Sequence, residues 1–134
     1  MNRLVMGAAA VLLAAVPALA HHSFAMFDQR RIVTLEGTVT EFQWTNPHAF
    51  IEIDVPGADG RVTHWSIELN SPNNLKRQGW SRTSVRSGDR VTLRMNPLRD
   101  GKPGGLFLDL KLPSGRVLDS GLPKNGTPVN VPNV

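Results

Sequence analysis

Residues 49–79 read AFIEIDVPGADGRVTHWSIELNSPNNLKRQG, with two alternating segments around a turn and a short helix-like run after them. Apolar and polar side chains alternate over 49–55 and again over 61–69, which is the period-2 pattern of half-buried strands. The residues between them, 56–60, have the composition of a turn. The run therefore predicts an antiparallel hairpin.

If the strands pair directly across this five-residue turn, their register follows. It places His64 opposite Glu52 and His48 opposite Glu68, all on the outer face. Direct cross-strand neighbours lie about 4.5–5.5 Å apart, and the two histidines are two pairs apart. We therefore expect that they do not share one ion.

The end of the run predicts a short helix. Ser71 is a residue type that caps helix N-termini, Pro72 suits the first helical position, and Gly79 suits the stop. The expected helix has about two turns, through Leu75.

Alternating strands are also predicted over 32–44 before the hairpin, and over 90–96 and 105–112 after the helix. The element order is thus three strands, a helix and two strands, which is the order of the OB fold. The predicted fold class is all-β: a small five-stranded OB-like barrel with one short helix between strands three and four. An open β-sandwich built from the same elements is the alternative.

The first and last predicted strands contain two further sequence features. Gly37 in mid-strand suits a tightly curved barrel strand, and a break in the alternation at Phe42 and Trp44 predicts a bulge or bend. In the last strand the predicted inward side chains are Leu106, Leu108 and Leu110.

The first 20 residues predict a cleavable secretory signal peptide. Arg3 precedes an apolar run, Leu4–Val16, and Ala18-Leu19-Ala20 matches a small-x-small cleavage site. The run is too short to span a membrane, and no later segment is apolar enough. The chain has no cysteine, which excludes lipoprotein anchoring and disulfides. We expect a soluble protein exported to the periplasm, with no transmembrane segment in the mature chain.

One domain accounts for the mature chain. Residues 21–118 are predicted to form the barrel domain, with 21–31 as an N-terminal arm, and 119–134 predicts a flexible tail of Gly, Pro and Asn without periodicity. Fifteen Lys and Arg against 11 Asp and Glu give a net charge of +4. These charges are dispersed rather than gathered in a stripe, which argues against nucleic acid as a partner.

Cleavage after Ala20 makes His21 the first residue of the mature chain. Its α-amino nitrogen and ring Nδ1 can chelate one ion, and further imidazoles make a nitrogen-rich site that suits Cu(II). His22 is adjacent, His48 lies in the turn after the first strand, and Met26 offers a thioether for Cu(I). These four residues are the predicted metal ligands of a copper chaperone or buffer.

A second hypothesis is a non-enzymatic binding module for a peptide, a glycan or a periplasmic partner protein. Its predicted ligand-binding residues are Trp44, Asn46, Phe50 and Trp80. The sequence contains no Gly-x-Ser-x-Gly and no paired cysteines, so binding is favoured over catalysis. A redox enzyme with a copper site at the N-terminal histidine is a third hypothesis.

Four strings spread along the chain resemble one protein family. They are HHSFAMFD at 21–28, LEGTV at 35–39, WTNPH at 44–48 and RDG at 99–101. In these strings the chain resembles the small exported bacterial proteins of domain of unknown function family 6152. The resemblance implies a secreted, cysteine-poor β-domain and no assigned activity, so the copper hypothesis depends on the histidine positions.

Overall fold

The computed structural model describes residues 24–130, and the predicted leader, His21, His22 and the last four residues lie outside that range. A 3-10 helix, Phe24–Met26, precedes the sheet. The strands are β1 Arg31–Gln43, β2 Phe50–Pro56, β3 Val62–Glu68, β4 Arg90–Pro97, β5 Gly104–Lys111, β6 Val117–Asp119 and β7 Thr127–Val129, with helix α1 Pro72–Arg77 between β3 and β4.

Five of these strands close into a ring. β1 pairs with β2, β2 with β3, β3 with β5, β5 with β4, and β4 again with β1. All these pairs are antiparallel except β3 and β5, which run parallel. Apolar side chains from the ring strands form one core cluster. The closed ring confirms the OB-like barrel and excludes the open sandwich.

β1 is long because it takes part in two ladders of the barrel. Its first half pairs with β4, its second half pairs with β2, and Thr38 belongs to both ladders. Thr40 is an extra residue that interrupts the ladder with β2 as a bulge. The bulge predicted at Phe42 and Trp44 is therefore displaced, since it forms close to the point where the strand changes partner.

β2 and β3 form the predicted hairpin, but its turn is shorter than 56–60. The amide of Gly57 donates to the carbonyl of Arg61 at 2.7 Å, and Gly60 has a φ of 81°, a conformation that glycine adopts readily. Residues 57–61 connect the strands, and the hydrogen bond between Gly57 and Arg61 closes a three-residue loop, 58–60, within them. The predicted register is wrong by two residues. His64 lies opposite Asp54 rather than Glu52, and Glu68 lies opposite Phe50 rather than His48.

β5 is buried from Gly104 to Leu110, since β3 and β4 flank it and β6 pairs along its end. Leu108 is an extra residue in the ladder with β4, and this bulge reverses the alternation. Phe107 and Leu110 therefore belong to the core cluster. The predicted inward face is corrected accordingly, because Leu106 and Leu108 are buried outside that cluster.

The described part of the predicted tail contains a strand. β7 runs parallel to the start of β1, with Thr127 opposite Arg31 and Val129 opposite Val33. The amide of Thr127 also donates to the carbonyl of Arg30 at 2.8 Å. These contacts are made by the backbone, which explains why side-chain periodicity gave no signal for the strand.

Helix α1 forms where the sequence predicted it. The hydroxyl of Ser71 accepts a hydrogen bond from the amide of Asn74 at 3.3 Å, and Pro72 occupies the first turn. Leu75 is buried and attaches the helix to the barrel. No helix within residues 24–130 has the length and apolar character needed to cross a membrane.

Candidate binding cavity

The N-terminal arm is fixed to one end of the barrel. Phe27 is buried and forms a β-bridge with Leu98, in the segment between β4 and β5. Arg99 holds the arm from the same segment, because its amide donates to the carbonyl of Met26 at 2.9 Å and its Nε donates to the carbonyl of Ala25 at 2.8 Å. The arm is therefore part of the folded domain from Phe24 onward.

A cavity of about 770 Å³ lies beside the arm. Six separate segments form its wall: the arm, the β1–β2 loop, the end of β3, helix α1, the start of β5 and the segment after β6. The lining residues are Phe24, Ala25, Phe27, Pro47, His48, Glu68, Leu69, Asn70, Leu75, Gln78, Leu106, Phe107, Ser120 and Leu122.

His48 and Glu68 form a pair on the wall of this cavity. The ring Nδ1 of His48 lies 2.6 Å from Oε1 of Glu68, and the side chains are 28% and 14% exposed. The hydroxyl of Thr45 donates to the carbonyl of His48 at 2.8 Å, which positions the loop. A carboxylate can only accept, so Nδ1 carries the proton in this hydrogen bond and the lone pair of a neutral ring lies on Nε2.

The predicted metal ligands are placed as follows. His48 lines the cavity, whereas Met26 is exposed and is not among the lining residues. His21 and His22 lie outside the described residues. Over 24–130, no three His, Cys, Asp or Glu side chains converge as a metal-holding group.

The predicted ligand-binding residues of the second hypothesis do not form one surface. Trp44 is half-buried with its ring edge-on to Phe42 at 5.6 Å between centroids, and Asn46 is exposed. Phe50 is half-buried, and Trp80, only 4% exposed, lies in the core. None of these residues lines the cavity. A binding role for Trp44, Asn46, Phe50 and Trp80 stays a prediction.

A second histidine lies in an acidic cluster on the outer face of β2 and β3. The Nδ1 of His64 is 2.7 Å from Oδ1 of Asp54, and its Nε2 is 2.9 Å from Oε2 of Glu52. Glu52 also accepts a hydrogen bond from the hydroxyl of Ser66 at 2.8 Å. The hydrogen bond with Asp54, followed by that with Glu52, raises the pKa of His64 above its ordinary value.

This arrangement predicts a pH-dependent stability contribution. Because the pKa of His64 is higher in the folded than in the unfolded chain, the contribution is complete below the unfolded value of about 6.5 and is lost as pH rises through the folded value. At pH 5.5, His64→Gln should lower the free energy of unfolding by about 0.5 kcal/mol, a size typical of exposed ion pairs. At pH 9 the same variant should have no effect. Urea unfolding at both pH values measures this, and an equal effect at both would contradict it.

A family model matches residues 9–107, a range that contains all four of the strings quoted above. The chain belongs to the family of unknown function DUF6152. Among solved structures, this DUF6152 protein is similar to the mitochondrial single-stranded DNA-binding protein Rim1 of S. cerevisiae. The two are 16% identical with a TM-score of 0.46, over 71% of this chain and 98% of that one. No curated protein matches the chain.

Sequence reasoning found His48 and its partner Glu68 in this DUF6152 protein, although through a register that the structure corrects. It missed the cavity and the lining residues contributed by α1 and by residues 120–122. No local pattern marks these residues, because they come together only when the barrel closes. The sequence signal most relevant to the cavity was Ser71-Pro72, because it places α1, which forms part of the cavity wall, directly after β3.

Proposed function

We propose that this DUF6152 protein is an exported copper-binding protein, a periplasmic chaperone or buffer. The α-amino nitrogen and ring of His21 chelate Cu(II), and His22 and His48 supply further imidazoles. The observation that supports this most directly is that His48 lines the same cavity as Phe24 and Ala25, the first described residues of the arm.

The short separation in sequence between His21 and Phe24 allows the proposed donors of His21 and His48 to meet. His21 precedes Phe24 by three residues, and an extended residue spans at most about 3.6 Å, so His21 starts within about 11 Å of the cavity wall. The arm is fixed by Phe27 and by the two hydrogen bonds from Arg99, which hold Phe24 and Ala25 at the wall of the cavity that His48 also lines. The proposed site thus uses a short segment attached to a rigid domain.

The pairing of His48 with Glu68 suits metal ligation. Metal-bound histidines commonly donate their second ring nitrogen to a carboxylate, which fixes the tautomer and makes the coordinating nitrogen more basic. Glu68 accepts in this way from Nδ1 of His48, which makes Nε2 the coordinating atom. An amine with several imidazoles is a donor set that favours Cu(II) over Zn(II) in affinity. Met26 is the proposed additional ligand for Cu(I).

Isothermal titration of Cu(II), with Zn(II) for comparison, tests the proposal on protein that begins at His21. We expect one copper per chain, bound at least tenfold more weakly after acetylation of the His21 amine or in His48→Ala, because each removes one donor nitrogen. Glu68→Gln should weaken binding by roughly 10–100-fold through the loss of the orienting carboxylate.

The matched control is His64→Ala, which removes an imidazole from the outer face of β3 and leaves the cavity unchanged. Copper affinity should be the same in this variant as in the parent protein. Equal copper binding before and after acetylation, or in parent and His48→Ala, would refute the proposed ligand set.

A further inference from the structure

The cavity has an apolar interior as well as the His48 pair. Most of its wall is apolar, contributed by aromatic and leucine side chains of the arm, β5 and α1. Its volume, about 770 Å³, falls in the range of small-molecule binding pockets, roughly 300–1,000 Å³. A copper ion alone is far smaller than such a space. The interior therefore fits an organic ligand.

The polar groups of the wall define the head group of that ligand. The side-chain oxygen of Asn70 already accepts from the amide of Ser71 at 2.7 Å, and the side-chain amide of Gln78 donates to the carbonyl of Ser120 at 3.3 Å. These contacts hold the wall together. Glu68 is different, because a carboxylate has about four acceptor positions and His48 occupies one of them.

The charge of the cavity wall is negative. Glu68 is the only Asp or Glu among the lining residues, and no Lys or Arg of the described chain lines the cavity. In surroundings this apolar, a carboxylate attracts a cation strongly and repels an anion. The wall is therefore complementary to a positively charged donor.

We propose that the cavity binds a small amphiphilic amine, with its ammonium group against Glu68 and its apolar body against Phe107, Leu75 and Leu106. The ammonium donates to the Glu68 oxygens, and the hydrocarbon part is removed from water by the leucine and phenylalanine side chains. This site shares Glu68 with the proposed copper site, but it needs neither His21 nor the imidazole of His48 as a ligand.

Three probes of the same length and different charge test the inference: n-octylamine, n-octanol and n-octanoate. They are titrated into copper-free protein that begins at His21, and intrinsic tryptophan fluorescence is followed. Trp80 serves as the reporter because its ring lies edge-on to Phe107 with 5.4 Å between centroids, and Phe107 lines the cavity. We expect saturable binding in the order amine, alcohol, carboxylate, with at least tenfold between the first and the last.

Variants of the wall charge make the test specific. Glu68→Gln should reduce the affinity for octylamine to that for octanol, whereas Glu36→Gln, which removes one carboxylate outside this cavity, should change nothing. Gln78→Lys introduces a cation at an exposed lining position and should weaken octylamine and tighten octanoate, each several-fold. Acetylation of the His21 amine should weaken copper binding and leave octylamine affinity unchanged, which separates this inference from the proposed function.

Three results would overturn the inference. One is octanoate binding as tightly as octylamine in the parent protein, which would mean that the carboxylate does not select the head group. The other is the absence of saturable binding for all three probes, which would mean that the cavity does not accept an organic ligand. A loss of octylamine affinity in Glu36→Gln equal to that in Glu68→Gln would also overturn it.

Discussion

Gly37→Ala is expected to lower the free energy of unfolding by about 3 kcal/mol, the upper end of typical overpacking costs. A β-carbon at Gly37 would overlap the carbonyl oxygen of Asp54 and would lie 3.0 Å from a side-chain carbon of Ile53. The obstacle includes the backbone of β2, so no rotamer change relieves it. β1 passes from β4 to β2 at the next residue, Thr38, so strand separation here weakens the closure of the ring.

Urea unfolding followed by circular dichroism measures this loss. Gly101→Ala is the control, since Gly101 has a φ of 78° and no atom lies within 4 Å of an added β-carbon. The control variant should lose about 1 kcal/mol from backbone strain alone. If Gly37→Ala lost no more than Gly101→Ala, the close approach of β1 and β2 at this point would be disproved.

Arg94→Met is expected to lower the free energy of unfolding by about 3 kcal/mol, because it leaves the buried carboxylate of Asp109 without its main hydrogen-bond donor. Asp109 is 7% exposed, and Arg94 binds it through two parallel hydrogen bonds from Nε and Nη2 to the two carboxylate oxygens. Without Arg94 the one basic side chain of residues 24–130 that still pairs with the buried carboxylate is Lys124, whose Nζ lies 4.0 Å away. Thermal or urea unfolding of the variant provides the measurement.

Asp109→Asn, which removes the other partner of this ion pair, should lower the free energy of unfolding by less than Arg94→Met does. In Asp109→Asn the side chain that loses its partner is that of Arg94, which is 44% exposed and can be hydrated, so the expected loss is about 1 kcal/mol. Arg90→Met, an exposed arginine on the same strand, should be neutral. An equal loss in Arg94→Met and Asp109→Asn would show that burial of the carboxylate does not control the energy.

The barrel could be predicted because its strongest signals are local. Alternation around Ile51, Ile53, Trp65 and Ile67 and the cap at Ser71 each depend on neighbouring residues, and the side chains lie as the pattern indicates. Register and bulges depend on hydrogen bonds between distant segments. The register of the hairpin and the inward face of β5 were therefore predicted incorrectly.

The candidate site was predicted only in part, because some of its residues are marked by local sequence signals and others come together only through tertiary contacts. His48 follows a strand and precedes another, so its place at one end of the barrel follows from the element order. The cavity requires the arm, α1 and residues 120–122 to meet, and their meeting depends on tertiary contacts such as those of Phe27. A local sequence pattern does not show which distant segments of the chain lie close together in the fold.

The strand β7 has a consequence for how this barrel meets other chains. β1 pairs with β4 from Val33 onward, and without β7 the other side of residues 31–33 would present free backbone groups, a template for aggregation through edge pairing. β7 covers this edge and becomes the new border of the sheet. It is only three residues long, and its central residue is Pro128, which has no amide hydrogen to offer. The barrel is thus bordered at this point by a strand that is poorly suited to recruit another.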